Sequence, residues 1–575
     1  MKKIYLSAAA LLACSFLNAQ SAFTWDVTSY KGAFPVTDNT PATDWTSGWA
    51  SWDPENENYA APTTTLSGNI TSNTSISGVV YLGGIVHVAN NAILTIAPGT
   101  IIRCKPNDVS LTPGTLVISR GSKIMAQGTA SQPIIFTSIN SVANGRNPGD
   151  WGGVIILGNG VINTGGVSTN PNVSKVEGFN TTDPLRNYGG TNDADNSGVF
   201  SYVRIEFAGV ALDPTIANSE INGLTLGGVG SGTKIDHIQV SFSGDDAFEW
   251  FGGTVDAKHL IAFRTTDDDF DTDFGFRGRV QFGLSIKDPN LWDAISGGAS
   301  NGFESDNNGA APYLALPLTK PVFSNMTMIG ARGDGTVYGA GTLPTGEAHE
   351  AVAHIRRNSS NSVVNSLFLG YEKGLRLQNA VTQDNCLAVG TDSMLYIANT
   401  VITAEIPSTY ITESATIFTQ NMYHAYASAS NIDTVTTIAQ IAFVNAFTAL
   451  GNTPDYRLTA ASTASTGASF TSPAFVGGFT GVNQLTKTTV NSFVLYPNPA
   501  TLNTNVSFNI VEKNKASIAV YDVLGNLVST LSQSNEFEKG NNTINLNTSN
   551  LSRGIYYISL EINGSKETKK LIINK

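Results

Sequence analysis

The chain is predicted to be all-β: a right-handed parallel β-helix solenoid followed by a small C-terminal β-sandwich. Three observations predict it. Only 14% of the 575 residues are charged and 56 are glycine, against about 25% charged in an average soluble protein, so strands joined by tight turns are favoured. Strand-and-glycine segments recur through the body. From Phe493 onward, short runs alternate apolar and polar residues, the pattern of half-buried strands.

The elements follow in order. Lys2 and Lys3 precede an apolar stretch from Ile4 to Leu17, and Ala19 stands at a cleavage point. That layout is a secretory signal peptide over 1–19, with the mature chain starting near Gln20. Residues 20–70, carrying Trp25, Trp45, Trp49 and Trp52, are read as an N-terminal cap over the open end of the solenoid. The alternative is a set of tryptophans that stack on sugars. No later segment has the run of about 18 apolar residues that a spanning helix needs, so no transmembrane segment is expected in the mature chain.

Residues 71–475 form the predicted solenoid body. Leu94-Thr95-Ile96-Ala97-Pro98-Gly99-Thr100-Ile101-Ile102 superposes on Leu116-Val117-Ile118-Ser119-Arg120-Gly121-Ser122-Lys123-Ile124 with an offset of 22. A strand plus a glycine turn at this period indicates one coil of a parallel β-helix. Val154–Leu157, Ser201–Phe207, Ile235–Val240 and Ser362–Leu369 read as further strands, with insertions such as 172–196 thrown out as loops from one face. A short helix is expected within 435–450, and 476–492 is read as a linker. Cys104 and Cys386 are the cysteines left after signal removal. On a solenoid they lie many coils apart, so both are read as small core residues and not as a disulfide.

Charge is uneven along the chain. The formal net charge is −12, yet 490–575 holds 8 basic and 6 acidic residues, and setting aside Lys2 and Lys3 the body keeps 23 basic against 39 acidic. An acidic body repels nucleic acid and anionic lipid and suits cations or neutral glycans.

The chemistry concentrates between Gly244 and Gly309. Phe248-Glu249-Trp250-Phe251-Gly252, Phe270-Asp271-Thr272-Asp273-Phe274 and Phe303-Glu304-Ser305-Asp306-Asn307 align. Phe248, Phe270 and Phe303 share one slot and should stack inward. Glu249, Asp271 and Glu304 then point outward, as do Asp273 and Asp306 two residues on, because side chains alternate faces along a strand. Gly244-Asp245-Asp246 and Asp267-Asp268-Asp269 add carboxylate-rich turns just upstream. On adjacent coils about 4.8 Å apart, each like-charged pair repels by roughly 1 kcal/mol in bulk water and about 3 to 4 kcal/mol at an effective dielectric near 20. Calcium, a hard cation taking six to eight oxygens, relieves that repulsion. Its candidate ligands are Asp245, Asp246, Glu249, Asp268, Asp269, Asp271, Asp273, Glu304 and Asp306. Raised carboxylate pKa values, of the kind acid/base catalysis uses, are a second outcome. A solvated acidic stripe is the third.

Other motifs carry less. The spacing Asp269-x-Asp271-x-Asp273 is not an EF-hand, since Phe274 and Val280 occupy the glycine and bidentate glutamate positions. His349 and His354 are five apart, which is not the zinc-protease spacing of four on a helix. Arg332-Gly333-Asp334 reads as a turn. Arg264, Arg277, Arg279 and Lys287 are the nearby candidates for a base, should the groove be that of a calcium-dependent lyase. Gly244-Asp245-Asp246 resembles the paired-aspartate block of polygalacturonases, but the other blocks of that pattern are missing, so no assignment transfers.

In the last module, 493–575, the pieces are Leu495-Tyr496-Pro497-Asn498-Pro499, Val520-Tyr521-Asp522-Val523-Leu524-Gly525, Leu551-Ser552-Arg553-Gly554-Ile555-Tyr556-Tyr557 and Lys569-Lys570-Leu571-Ile572-Ile573. Together they resemble the type A C-terminal sorting domain of the type IX secretion system of Bacteroidetes. The body resembles the pectin-lyase-like parallel β-helix group through Leu94 to Thr100, Gly149-Asp150-Trp151-Gly152-Gly153 and Gly244 to Gly253. These resemblances imply recognition by the type IX machinery and passage through the periplasm to the medium or the outer cell surface. The expected function is a non-catalytic protein whose β-helix binds glycan or another surface, with calcium organising the central coils. The alternative is a polysaccharide lyase or glycoside hydrolase acting in the acidic groove.

Overall fold

A computed structural model describes residues 23–575 apart from 39, 41–42, 109, 165–171, 180–182, 213–218, 294–298, 333–348, 388–394, 407, 414–426, 429, 448–451, 472, 477–489, 511–512, 523–525 and 563–564. The signal segment 1–19, Gly333 and Asp334, most of the predicted linker, and Val523, Leu524 and Gly525 of the last module therefore lie outside the described residues. Two compact units are present, one ending at Gly478 and one running from Phe479 to Lys575.

The first unit is a parallel β-helix with three faces. One face, the cleft sheet, stacks Ile85–Val88, Thr115–Ile118, Val154–Leu157, Leu224–Gly227, Phe248–Phe251, Phe270–Asp273, Phe303–Ser305, Ala351–Ile355, Lys373–Gln378 and Ser408–Glu413, all in parallel. The other two faces are carried by long strands that turn a corner. Gly198–Glu206 pairs through Gly198–Ser201 with Lys123–Gln127 and through Val203–Ile205 with Ile134–Ser138. The corner residue between those halves is Tyr202, at φ 51°. His237, His259, Phe282 and Asn325 repeat that left-handed corner in Lys234–Ser241, Ala257–Phe263, Arg279–Ile286 and Val322–Ile329. One buried apolar cluster fills the inside from Leu66 to Ala464.

The apparent repeat of 22 between Leu94 and Leu116 is not a coil. Leu94 pairs with Ile124 and Val86 with Leu116, thirty residues apart in both cases. The two segments match because each is a strand, a corner and a strand. Gly99 and Gly121 both take φ near 80° at 74° and 82°, a conformation that favours glycine, but they turn different corners of the triangle. A period of 22 holds in the central coils, where Phe248 pairs with Phe270 and Ile235 with Ala257.

The N-terminal segment differs in place from the cap expected at 20–70. The described residues of 23–60 lie as a strap along the flank of the solenoid. The Gly32 N–H donates to the Asn365 carbonyl, Ser51 N–H to Gln239 Oε1 at 2.9 Å, and Arg103 Nη1 reaches the carbonyls of Tyr59 and Ala60. Trp45, Trp49 and Trp52 are consumed in this packing, with Trp49 fully buried. The physical reason is the row of corner side chains, whose aromatic and amide groups offer the strap both stacking surface and hydrogen bonds. The predicted helix is the single turn Ile438–Ile441. Ser462 to Val476 also packs on the body, Ala464 accepting from Lys31 N–H and Ala474 burying against Val322 and Val364. Cys104 and Cys386 are free and buried.

The second unit is a small antiparallel sandwich. A three-stranded sheet of Val490–Tyr496, Asn503–Ile510 and Gly540–Asn547 and a four-stranded sheet of Leu527–Phe537, Asn514–Tyr521, Gly554–Ile562 and Ser565–Ile573 share one core. Alternation puts Val506, Phe508 and Ile510 from one sheet against Ile518, Val520, Ile558 and Leu560 from the other. Among the described residues no helix is long and apolar enough to cross a membrane.

Candidate functional site

The outward side of the cleft sheet is a ladder of polar side chains. The register aligns Thr225 with Glu249, Glu249 with Asp271, Asp271 with Glu304, Glu304 with His354 and His354 with Arg376. The neighbouring column makes the ladder: Phe248, Phe270 and Phe303 are fully buried, their rings stacked at 5.6 and 5.5 Å. Each residue after a buried phenylalanine must face the other way. Three carboxylates therefore give way along the solenoid to an imidazole and a guanidinium.

Turns and insertions close this face into a cleft of about 560 Å³. The turns before the strands bring Asp245, Asp246, Asp267 and Asp268, tied together where the Asp268 N–H donates to Asp246 Oδ1 at 2.9 Å. The insertion after Val154–Leu157 brings Glu177, and the loop before Leu224–Gly227 brings Glu220. Asn222 Nδ2 donates both to Glu177 Oε1, at 3.0 Å, and to Glu249 Oε2.

Nearly all of this negative charge is shielded from water. Asp246, Glu249 and Asp268 are buried, and Asp245, Asp267 and Asp271 half-buried. Burial first, and then the charges of neighbouring carboxylates, push all six carboxyl groups well above the usual carboxylate range. Among the cleft-lining residues the guanidinium groups stand at the far end, while the buried Lys287 lies behind the acidic turns, where its Nζ donates to the Asp267 carbonyl and its charge works against the rise at Asp267 and Asp268. Arg356 pairs with Glu304 and, at 2.7 Å, with Asp306, which Arg357 also holds; Arg376 and Lys373 pair with Glu350. Burial acts upward on Glu304 too, but Arg356 and then His354, whose Nδ1 lies 3.2 Å from Glu304 Oε2, hold it below the usual range.

The residues proposed as ligands divide. Asp245, Asp246, Glu249, Asp268, Asp271 and Glu304 line the cleft. Asp269 turns inward: it is fully buried, 3.2 Å from Lys287 Nζ, and accepts from Thr265 and Ser285. Asp273, the last residue of its strand, and Asp306, just past the end of Phe303–Ser305, lie outside the lining, and burial raises Asp273 with Asp306 adding to it. Glu177, Glu220, Asp267 and Glu350 complete the acidic lining. Asp267 stands in the acidic turn that the sequence displays, but Glu177 and Glu220 come from insertions with no register to read. None of the four candidate bases lines the cleft: Arg264 pairs with Asp288 and Glu55, Arg277 with Asp193, Arg279 with Asp256, and Lys287, behind the acidic turn, with Asp269 and the Asp267 carbonyl. His354 joins the ladder, whereas burial and Lys287 push His349 down to about 4.

The donor set fits a hard cation. Oxygens of Asp245, Asp246 and Asp267 lie within 4.8 Å of one another, as do those of Asp246, Glu249 and Asp271. Asp271 Oδ1 is shielded from solvent and has no hydrogen-bond partner. An all-oxygen set of this density suits calcium, which tolerates irregular geometry.

Two family models match the chain. One is the pectate-lyase-like beta helix domain, over residues 68–442, and the other the secretion system C-terminal sorting domain, over 494–574. No curated protein and no solved structure matches it.

Proposed function

The chain belongs to the pectate-lyase-like β-helix family and ends in a type IX sorting domain, which directs it to the outer cell surface or beyond, and from that premise we propose that its body is a calcium-organised glycan-binding module. The observation that carries this reading is the shielded cluster of six carboxylates, Asp245, Asp246, Glu249, Asp267, Asp268 and Asp271, which the buried Lys287 and the guanidinium groups at the far end of the cleft are too few to balance. A divalent cation seated among those oxygens offsets part of their charge and presents open coordination positions to sugar hydroxyls or carboxylates. The far end, with His354, Arg356 and Arg376, offers donors to an anionic sugar. The ligand class that suits a cation beside such donors is an acidic polysaccharide.

The test is calorimetric titration of the mature protein with polyuronate and with neutral glucan, in calcium and in chelator. Binding of polyuronate that needs calcium and is lost in Asp271→Asn supports the reading. Equal binding in chelator, or no binding of either polymer, overturns it.

A second reading is favoured by the Glu304–His354 contact and the raised carboxyl groups, since perturbed titrating groups mark catalytic clefts. On that reading the body is a polysaccharide lyase or glycoside hydrolase. The basic groups that line the cleft are held by carboxylates, Arg356 by Glu304 and Asp306 and Arg376 by Glu350, which favours binding over proton abstraction. New reducing ends or unsaturated uronate after incubation with the same polymers would reverse that preference.

A further inference from the structure

A second cluster of ligating groups lies on a different sheet from the acidic cleft, at the corner that the strap covers. His237 and His259 occupy the same corner position in successive coils, at φ 56° and 57°, and their rings stack at 4.2 Å. Both Nδ1 atoms lie 2.8 Å from one oxygen, Asp236 Oδ1. Trp45 sits 5.2 Å from the His259 ring and Trp49 5.6 Å from that of His237, while Tyr202 and Phe282 extend the stack above and below.

Hydrogen bonding leaves this cluster incomplete. His259 Nδ1 makes its bond to Asp236, but His237 Nδ1 is shielded from solvent and makes none, despite its 2.8 Å approach to the same oxygen. Lys234 Nζ lies 3.9 Å from the other Asp236 oxygen.

We propose that Asp236, His237 and His259 form a binding site for a borderline transition-metal ion of the zinc class. Two imidazoles and one carboxylate are the donor set such ions take, and three protein ligands leave a position open to water or a ligand. Oxygen-loving calcium belongs in the cleft, and the nitrogen-rich corner selects a different metal. The three ligand atoms lie within 4.8 Å of one another, and ligands of a tetrahedral zinc stand about 3.3 Å apart. Seating the ion would take a widening of the two 2.8 Å contacts by about half an ångström and a tilt of the two stacked rings, 27° apart, so that both nitrogens face it; Asp236, the more exposed of the three at 25%, marks the open side. Bound metal would tie two successive coils together directly beneath the strap.

The experiment is titration of tag-free mature protein, saturated with calcium, with zinc by calorimetry and with cobalt by absorption spectroscopy. Uptake of about one zinc per chain is expected, with visible cobalt bands shifted by nitrogen ligation. His259→Asn should weaken zinc by more than the roughly 10- to 100-fold that changes outside the ligand shell cost, and Asp271→Asn should leave it unchanged. Copper should quench tryptophan fluorescence through Trp45 and Trp49. No zinc uptake by the wild-type protein, uptake insensitive to His259→Asn, or uptake lost in Asp271→Asn would each overturn the proposal. Should His259→Asn fail to fold, the wild-type cobalt spectrum decides, since oxygen-only ligation there excludes the imidazoles.

Discussion

Phe248 and Phe270 stack one coil above the other with ring centroids 5.6 Å apart and planes 4° from parallel. That apolar contact sets the electrostatics of the opposite side of the sheet. Once both rings are inside, Glu249 and Asp271 must stand side by side outside, and the cleft inherits a repulsion that the core's packing forces on it.

Removing that contact should be costly. Phe270 is fully buried and also stacks on Phe303, so Phe270→Ala is expected to destabilise the body by about 3–5 kcal/mol. Urea denaturation followed by circular dichroism measures it. A loss comparable to that of a surface substitution would mean the aromatic column does not hold the coils in register.

The cleft should make stability depend on pH in an unusual direction. Asp246 and Asp271 have folded-state carboxyl groups raised by burial and then by neighbouring charges. The unfolded chain therefore releases its protons first as pH rises, and the folded state binds more protons across the interval from the ordinary carboxylate range up to the raised values. Stability falls with rising pH wherever the folded state holds the extra protons. In chelator, the melting temperature of the wild type relative to Asp246→Asn/Asp271→Asn should therefore decline as pH rises above the ordinary carboxylate range. Calcium should flatten the decline by compensating the ionised groups. A relative melting temperature that rises with pH in chelator contradicts the buried-carboxylate account.

Arg356 is the main counter-charge within the ladder, gripping Glu304 and Asp306. Arg356→Leu leaves two shielded carboxylates without it, a change that costs about 3–5 kcal/mol for a buried pair. Arg357 still reaches Asp306, so the lower end of that range is expected. Chemical denaturation with and without calcium reads the loss, which should shrink when a cation replaces the missing guanidinium. An equal loss in both conditions would place the cation away from Glu304.

Export is expected to require the last module. Deleting 494–575 should leave the body in the periplasm, because the matched sorting domain occupies those residues. Cell fractionation followed by immunoblotting tests this. Normal appearance of the truncated chain outside the cell would show that export takes another route.

Much of the fold was legible because its signals are local. The alternation in Asn503–Ile510 and Asn514–Tyr521 and the recurring Phe-acid pairs depend only on which face successive side chains take. The coil length near Leu94 was misread for the same reason: Gly99 and Gly121 advertise a corner, and a three-sided coil has three corners that look alike in sequence. Asp269 shows the limit of alternation within a turn, where Lys287 draws a carboxylate inward that its neighbours send out.

By itself the sequence determined the β-helix class, the terminal sorting module, and the slot shared by Glu249, Asp271 and Glu304, because a period of two and a set of ordered blocks need no distant partner. Only the tertiary structure decided that Glu177 and Glu220 close the cleft, that Arg356 and His354 follow the acids on the same ladder, and that Trp45 and Trp49 cover the His237–His259 stack. Those contacts join residues separated by tens to hundreds of positions, and their pairing is set by how many residues each coil inserts before returning to the same face.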